Sequence, residues 1–172
     1  MTAGLMLATE RFILRELTVE DVSERYLGWL ADRETSRFIT AAASIQELED
    51  LRRYVREHTG RDDVLFLGIF DRSTGTHIGN IKYEPVCVGR GYATMGILIG
   101  DSAYRGKGVA PEVLKASARW LKDHRNIRQV LLGVSKDNDA AIRAYEKVGF
   151  VIADTPHLQK SAPDVLSMVW AL

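Results

Sequence analysis

A buried strand that leads through a glycine-rich loop into a helix is the feature that most constrains how this chain can fold. The segment Ile97–Gly100 is apolar on both faces of a strand, and after four intervening residues comes Arg105-Gly-Lys-Gly-Val-Ala110. Strands of this kind lie at the centre of sheets that are covered on both sides. Glycines let the main chain approach a ligand, and the N-terminus of a helix carries about half a positive charge. The segment therefore predicts an α/β sheet with a site for a phosphate-bearing ligand at one strand end.

Two well-known phosphate-binding motifs do not match this loop. A Walker loop has four residues between its glycines and a Ser or Thr after its lysine. Here five residues separate Gly100 from Gly106, and Gly108 follows Lys107. The dinucleotide-binding fingerprint requires a third glycine where Pro111 stands. Taken alone, the loop is compatible with phosphate binding or with an ordinary strand-to-helix turn.

The rest of the chain alternates strand and helix patterns. A strand is predicted over Glu10–Leu17, and capping boxes at Thr18 with Asp21 and at Ser44 with Glu47 predict two helices. Later strands are predicted over Val64–Asp71, His77–Val86, Tyr92–Gly100, Ile127–Val134, Phe150–Ile152 and Val165–Leu172. A loop is predicted at Cys87–Gly91, and helices are predicted after Gly108 and over Asn138–Val148. This order predicts one mixed α/β sheet, and we expect residues 1–172 to form a single domain.

Composition excludes several classes of function. The 23 basic residues balance the 23 acidic ones, so no net charge attracts the chain to nucleic acid or to an anionic membrane. A basic stretch over Ser102–Arg128 keeps nucleic-acid binding as a minor alternative. Cys87 is the single cysteine, and no signal peptide or apolar span is evident, so we expect a cytoplasmic protein. The histidines lack metal-ligand spacing, which predicts no metal site; they are His58, His77, His124 and His157.

A second motif makes the interpretation of the glycine-rich loop more specific. The pattern Asn138-x-x-Ala141-x-x-x-Tyr145-x-x-x-Gly-Phe follows the next predicted strand. Taken singly, Asn138 fits a helix cap and Tyr145 a core residue. Together with Arg105-x-x-Gly108-x-Ala110, the pattern resembles the GCN5-related N-acetyltransferase (GNAT) superfamily. The opening residues Thr9–Thr18 are similar to the branch that contains the ribosomal-protein N-terminal acetyltransferases.

The resemblance implies a fold, a cosubstrate and a set of binding residues. The fold is a single central mixed sheet of six to seven strands flanked by about four helices. Acetyl-CoA would lie between two splayed strands, with main-chain groups holding its pantetheine arm and its pyrophosphate. The implied binding residues are Leu98, Ile99, Gly100, Arg105, Gly106, Lys107, Gly108, Val109, Ala110, Asn138, Ala141 and Tyr145.

The resemblance also implies acetyl transfer to a primary amine, for which catalytic groups can be suggested. Tyr145 is expected to protonate the leaving thiolate, because a phenol is a weak acid that stays protonated at neutral pH. Glu84 is the first choice for the general base, with Asp101, His77 or a water chain as alternatives. Cys87 has no histidine near it in sequence and is expected to be a passive small residue rather than a nucleophile.

The acceptor amine is less constrained. The segments Ile78–Lys82 and Gly96–Asp101 look like those of enzymes that acetylate nucleotide-linked amino sugars. The alternatives are a protein N-terminus, an antibiotic or a polyamine, and a non-catalytic CoA-binding module. We expect the acceptor pocket to come from the helices of Val19–Gly60 and from the loop Asp154–Asp164. The partners would thus be a small amine or a peptide N-terminus, with no nucleic acid or membrane, and the protein would be a monomer or a homodimer.

Overall fold

The computed structural model describes residues 4–33, 39–158 and 162–172. The strands within these ranges form one mixed sheet. The spatial order of its eight strands is β1-β2-β3-β4-β5-β6-β8-β7. The strands are β1 (Met6–Ala8), β2 (Phe12–Glu16), β3 (Leu65–Asp71), β4 (His77–Cys87), β5 (Tyr92–Ile99), β6 (Gln129–Ser135), β7 (Val151–Ile152) and β8 (Val165–Ala171). Four helices lie within the described ranges, namely α1 (Glu24–Ala31), α2 (Leu48–His58), α3 (Val109–Arg125) and α4 (Asp139–Val148). The predicted α/β class with a mixed sheet is confirmed.

Strands β5 and β6, which lie near the middle of the sheet, are parallel and pair over a short distance. Residues Tyr92–Thr94 pair with Gln129–Leu131, whereas every other neighbouring pair of strands in the sheet is antiparallel. Beyond Thr94, β5 stays paired with β4 as far as Ile99, and β6 stays paired with β8 as far as Ser135. The two strands therefore diverge, and a cleft opens between their C-terminal ends in the middle of the sheet.

Helices cover both faces of the sheet. On one face, α3 buries an apolar stripe that includes Val113, Leu114 and Leu121, and α4 packs beside it. On the other face, α1 and α2 contribute a second cluster that includes Tyr26, Trp29 and Leu51. Because both faces are covered, β5 has to be apolar on both faces, which is why its sequence indicated a central strand.

Several boundaries differ from the sequence predictions. The capping box of Thr18 with Asp21 forms, but it begins only a short 3₁₀ turn, and α1 starts later, where Ser23 Oγ accepts the N–H of Tyr26. The box predicted at Ser44 is wrong, because Asp50 accepts the N–H of Glu47 and this pair starts α2 instead. Glu47 takes the N-cap position that the sequence pattern reserved for Ser or Thr.

Two further predictions concern the sheet. Strand β1 is three residues long and was not predicted, so the sheet has eight strands where six to seven were expected. Cys87, predicted to lie in a loop, is the last residue of β4 and is a half-buried free thiol. The reason is that its neighbour across the sheet, Tyr92, starts β5, so the connecting turn is shorter than the glycine content suggested.

Candidate active site

The loop between β5 and α3 has an open, left-handed backbone. Gly106 and Gly108 have φ angles of +69° and +75°, a region that residues with a side chain avoid. Gly108 is the N-cap of α3, so the N–H groups of Gly108, Val109 and Ala110 have no acceptor within the helix. Residues 105–108 are exposed to solvent. The loop therefore presents main-chain donors at a helix N-terminus, which suits an anionic group.

Side chains fix this loop onto the end of β5. Arg105 folds back, and its guanidinium donates to the carbonyl oxygens of Ile99 (Nε–O 3.0 Å) and Gly100 (Nη2–O 3.2 Å). The Tyr104 hydroxyl donates to the carboxylate of Asp71, the last residue of β3. Hydrogen bonds from Tyr104 and from Ser73 lower the pKa of Asp71 to about 2. The loop is thus held in place by side-chain donors, and none of these contacts uses an N–H group of residues 106–110.

The cleft between β5 and β6 begins immediately beyond Thr94. Gly100 N–H donates to the Ile78 carbonyl, and hydrogen-bonded pairs alternate along an antiparallel ladder. The N–H groups of Ile97 and Ile99 consequently point away from β4, toward the cleft. Both main-chain groups of Gly100 are engaged, because its N–H bonds Ile78 and its carbonyl accepts from Arg105.

Helix α4 starts at the other side of the cleft, after β6. Asn138 is its N-cap, and its Oδ1 accepts the N–H of Ala141 at 3.3 Å. Tyr145 lies one turn beyond Ala141, with its ring centroid 5.6 Å from that of Phe150. No described residue hydrogen-bonds its hydroxyl, and burial raises the pKa of Tyr145 to about 12. The sequence-predicted residues of the loop and of α4 therefore flank one cleft, on the face of the sheet that α3 and α4 cover.

A cavity of about 700 Å³ lies on the opposite face, between α1, α2, β4 and β5. It extends along β5 from Thr94 to Leu98, which is the stretch of β5 that borders the cleft. The buried Oγ1 of Thr94 has no hydrogen-bond partner among the described residues. The polar residues that line the cavity are Tyr26, Tyr54, His58, Asn80, Lys82, Glu84 and Thr94. The cavity and the cleft thus meet at the same stretch of β5 from opposite faces of the sheet.

Four of these residues form a connected group, which we call the Glu84 cluster: Tyr54, His58, Lys82 and Glu84. Glu84 Oε2 lies 3.4 Å from His58 Nε2 and 3.3 Å from Lys82 Nζ. Lys82 Nζ donates to the Tyr54 hydroxyl at 2.6 Å, and the rings of Tyr54 and His58 stack with centroids 4.0 Å apart. The first choice for the general base is therefore a cavity-lining carboxylate with two nitrogen neighbours.

The other candidate bases are occupied elsewhere. His77 contacts Asn80 (Nε2–Oδ1 2.7 Å) and stacks on Phe70, and burial lowers its pKa, which favours the neutral ring. Asp101 forms an ion pair with Arg25 and accepts the N–H of Ala103. Neither side chain lines the cavity.

Sequence reasoning missed most of the cavity. Helices α1 and α2 line it, whereas none of the described residues of the loop 154–164 does, so the expectation of an acceptor pocket between these segments stays a prediction. A signal was present in β4, where Asn80, Lys82 and Glu84 alternate with buried apolar residues. Period-two polarity on a central strand indicates one face that meets solvent or a ligand. Nothing local in the sequence pairs that face with His58.

The described part of the chain lacks two further kinds of feature. It contains no group of three or more His, Cys, Asp or Glu side chains that could hold a metal ion. Within the same residues, no helix is both long enough and apolar enough to cross a bilayer.

Comparison with known families identifies the fold. A model of the acetyltransferase (GNAT) domain matches residues 11–151, and the chain belongs to this family. The match covers both flanks of the cleft, from β2 to the start of β7.

Individual relatives are more distant. The chain is 39% identical over 55 residues to a mycothiol acetyltransferase of Corynebacterium glutamicum, a match that covers 32% of this chain and 18% of that protein. The structure of a ribosomal L7/L12 alpha-N-protein acetyltransferase in complex with coenzyme A is similar, with a TM-score of 0.81, 14% identity and 98% of each chain covered. A spermidine N-acetyltransferase of Vibrio cholerae in complex with CoA and spermine gives a TM-score of 0.78 and 18% identity, covering 94% of this chain and 95% of that one. These likenesses support the GNAT fold.

Proposed function

We propose that the protein transfers an acetyl group from acetyl-CoA to a primary amine. The observation that carries the proposal is the divergence of β5 from β6 beyond Thr94 and Leu131, next to a glycine-rich loop at the N-terminus of α3. An extended pantetheine arm suits a gap between two strands that expose unpaired main-chain groups. A pyrophosphate suits the helix N-terminus. The structures of two similar proteins contain CoA, which agrees with the same choice of cosubstrate.

The residues of the cleft fit this cosubstrate in named roles. The N–H groups of Gly106, Lys107, Gly108, Val109 and Ala110 would surround the pyrophosphate. The N–H of Ile99 points toward the cleft and would bond the pantetheine arm, whereas the main-chain groups of Leu98 face Asn80 of β4 and are not available to it. Gly100 and Arg105 hold the turn that connects the two sites. Asn138 and Ala141 would border the arm from the first turn of α4.

Bound acetyl-CoA supplies a thioester whose carbonyl carbon is open to attack by an amine. Glu84 would take the proton that the acceptor nitrogen loses, because it lines the cavity beside β5. The Ile97 N–H would donate to the carbonyl oxygen as negative charge develops on it. Both groups act from the stretch where cavity and cleft meet.

Tyr145 would assist the departing sulfur. A thiol titrates near about 8.5, so full proton transfer from a phenol is uphill when burial raises the pKa of Tyr145 to about 12. The hydroxyl therefore acts first as a hydrogen-bond donor that stabilises the thiolate. Transfer of the proton becomes favourable only if the phenol is more acidic in the complex than in the free protein. Tyr145 therefore keeps its expected place beside the leaving sulfur, first as a hydrogen-bond donor and, when its phenol is acidic enough in the complex, as the general acid.

Two classes of acceptor amine fit the cavity and the strands that border it. The amino group of a nucleotide-linked amino sugar follows from the likeness of Ile78–Lys82 and Gly96–Asp101. A peptide N-terminus is favoured by the apolar walls of the cavity, which include Leu30, Ile45 and Phe66 and would suit the first side chains of a peptide. A polyamine fits less well, because Glu84 is the single carboxylate among those lining residues that the structure describes, and Lys82 lies beside it.

Release of free thiol from acetyl-CoA, measured across an amine panel, tests the proposal. The panel contains nucleotide-linked amino sugars, short peptides with free N-termini, polyamines and aminoglycosides. We expect amine-dependent thiol release with a sugar nucleotide or a peptide. Tight binding of CoA without turnover on any amine would instead favour a non-catalytic binding module.

A further inference from the structure

We propose that His58 accepts, at Nε2, the proton that Glu84 removes from the acceptor amine, so that the two side chains form a proton relay leading out of the cavity. The inference rests on the proposed acetyl transfer, and it assigns a second residue to the base. His58 ends α2, lines the cavity and lies next to Glu84.

The hydrogen bond at Nδ1 determines which ring nitrogen of His58 can gain and lose a proton. Nδ1 lies 2.7 Å from the Tyr54 carbonyl oxygen, which can only accept a hydrogen bond. Nδ1 therefore carries a hydrogen in both charge states of the ring. The proton that is gained or lost must reside on Nε2, which lies 3.4 Å from Glu84 Oε2.

The surroundings of this pair set the direction of transfer. Lys82 Nζ lies 3.3 Å from the same carboxylate oxygen, and as a cation it cannot take a further proton. The other neighbours of His58 are the Tyr54 ring on its own helix and the uncharged Phe66 ring on β3. Arg61, in the loop after α2, acts on Glu84 electrostatically but is bonded to Asp63. Among these described groups, His58 Nε2 is the one that can receive a proton from Glu84.

Both side chains are partly exposed, so the imidazolium of His58 can release its proton to water. The side chain of Glu84 is 33% exposed and that of His58 is 16% exposed. The relay has a balanced sequence. The acceptor ammonium loses a proton to a Glu84 oxygen, Glu84 returns to a carboxylate by passing the proton to Nε2, and the imidazolium then releases it to water. The amine is left with the lone pair that attacks the acyl carbon.

The substitution His58→Gln separates relay from positioning, because a glutamine amide can still donate to Glu84 but cannot accept a proton at neutral pH. We compare kcat/KM of wild type and variant for one amine from pH 5 to 9, so that titration of the amine cancels in the ratio. Imidazole changes charge between about pH 5 and 8, and only the neutral ring accepts a proton. The ratio of wild type to variant should be at least about tenfold above pH 8 and should fall toward one near pH 5.

A matched control is available at the end of α3. His124 repeats the local arrangement, with Nδ1 3.2 Å from the Trp120 carbonyl and its ring stacked on Trp120, but it is exposed and distant from the cavity lining. His124→Gln should leave both the rate and the pH profile unchanged. His58→Asn, which retains a donor near the Tyr54 carbonyl, serves as a second variant if His58→Gln folds poorly.

The outcomes distinguish this inference from the proposed function. A wild-type protein that acetylates an amine, combined with a ratio that stays constant across pH or below twofold, overturns the relay while leaving acetyl transfer intact. A wild-type protein with no amine-dependent thiol release removes the proposed function itself. A ratio that rises with pH as described supports both.

Discussion

The Cα of Gly100 lies directly against the indole ring of Trp29. A methyl group added at Gly100 would come within 2.0 Å of Trp29 Cδ2, so this contact joins the end of β5 to helix α1. We expect Gly100→Ala to lower the free energy of unfolding by about 1–3 kcal/mol, because the indole has to move within a packed cluster. Urea denaturation of wild type and variant measures this difference.

The same strand provides the control for that experiment. A methyl group at Gly96 would meet no atom within 4 Å. Gly96→Ala should therefore leave stability nearly unchanged, although Gly96 lines the cavity and its methyl group should raise the KM of the acceptor. Equal destabilisation by the two substitutions would contradict the packing argument.

Gly108→Asp should weaken binding of acetyl-CoA at least about tenfold, which is about 1.4 kcal/mol. The new carboxylate would stand at the N-cap of α3, where it would repel a phosphate group that competes for the same N–H groups. Calorimetric titration with CoA measures the affinity. Gly60→Asp is the matched control, because Gly60 has a similar φ of +72° with open space around it and lies in the loop after α2. Equal loss of affinity in both variants would contradict the assignment of the loop.

Tyr145→Phe should lower kcat at least about tenfold and leave the Kd for acetyl-CoA nearly unchanged. Because burial raises the pKa of Tyr145 to about 12, the hydroxyl stays protonated across the range in which the enzyme is assayed. The rate should therefore show no alkaline decline due to Tyr145 up to about pH 10. Tyr92→Phe, at the start of β5, is the control and should keep the wild-type rate. An unchanged kcat in Tyr145→Phe would remove this hydroxyl from the chemistry.

Tyr104→Phe should destabilise the protein in a pH-dependent manner. The hydrogen bond from Tyr104 is the largest cause that lowers the pKa of Asp71 to about 2 in the folded state, compared with about 3.9 in an unfolded chain. The ionised carboxylate therefore adds stability above about pH 4, and this contribution is lost as the pH falls toward 2. Urea midpoints should differ between wild type and variant at pH 7 and converge between about pH 4 and 2.

The double variant tests the cause of that effect. In an Asp71→Asn background, removal of the Tyr104 hydroxyl should have a smaller effect on stability, because the carboxylate that accepts its hydrogen bond is gone. A stability difference for Tyr104→Phe that is independent of pH would contradict the account of how the loop is anchored.

The central features of the fold were predictable because local chemistry dictates them. Strand β5 is apolar because helices cover both faces of the sheet, and this apolar run is visible in the sequence. The positive φ angles at positions 106 and 108 favour glycine, and these glycines are equally visible. The start of α2 was predicted three residues early, since Glu47 replaces Ser44 as the N-cap and aspartate at position 50 completes the box. Such shifts arise because several polar residues near a helix start can all act as caps.

The cavity was less predictable because it depends on contacts between distant segments. Glu84 was suggested from its strand, but its partner His58 precedes it by more than twenty residues and belongs to a helix on one face of the sheet. The alternation in β4 shows which face Lys82 and Glu84 share without showing which helix covers that face. Only the packing of α2 against the sheet brings these groups together.

The crystal structure of the protein soaked in coenzyme A is the measurement that tests the central claim most directly. The account predicts density for the pantetheine arm between β5 and β6 beyond Thr94, with the pyrophosphate bonded by the N–H groups of Gly106–Ala110. Density for the nucleotide at another surface, with this cleft and loop unaltered, would contradict it.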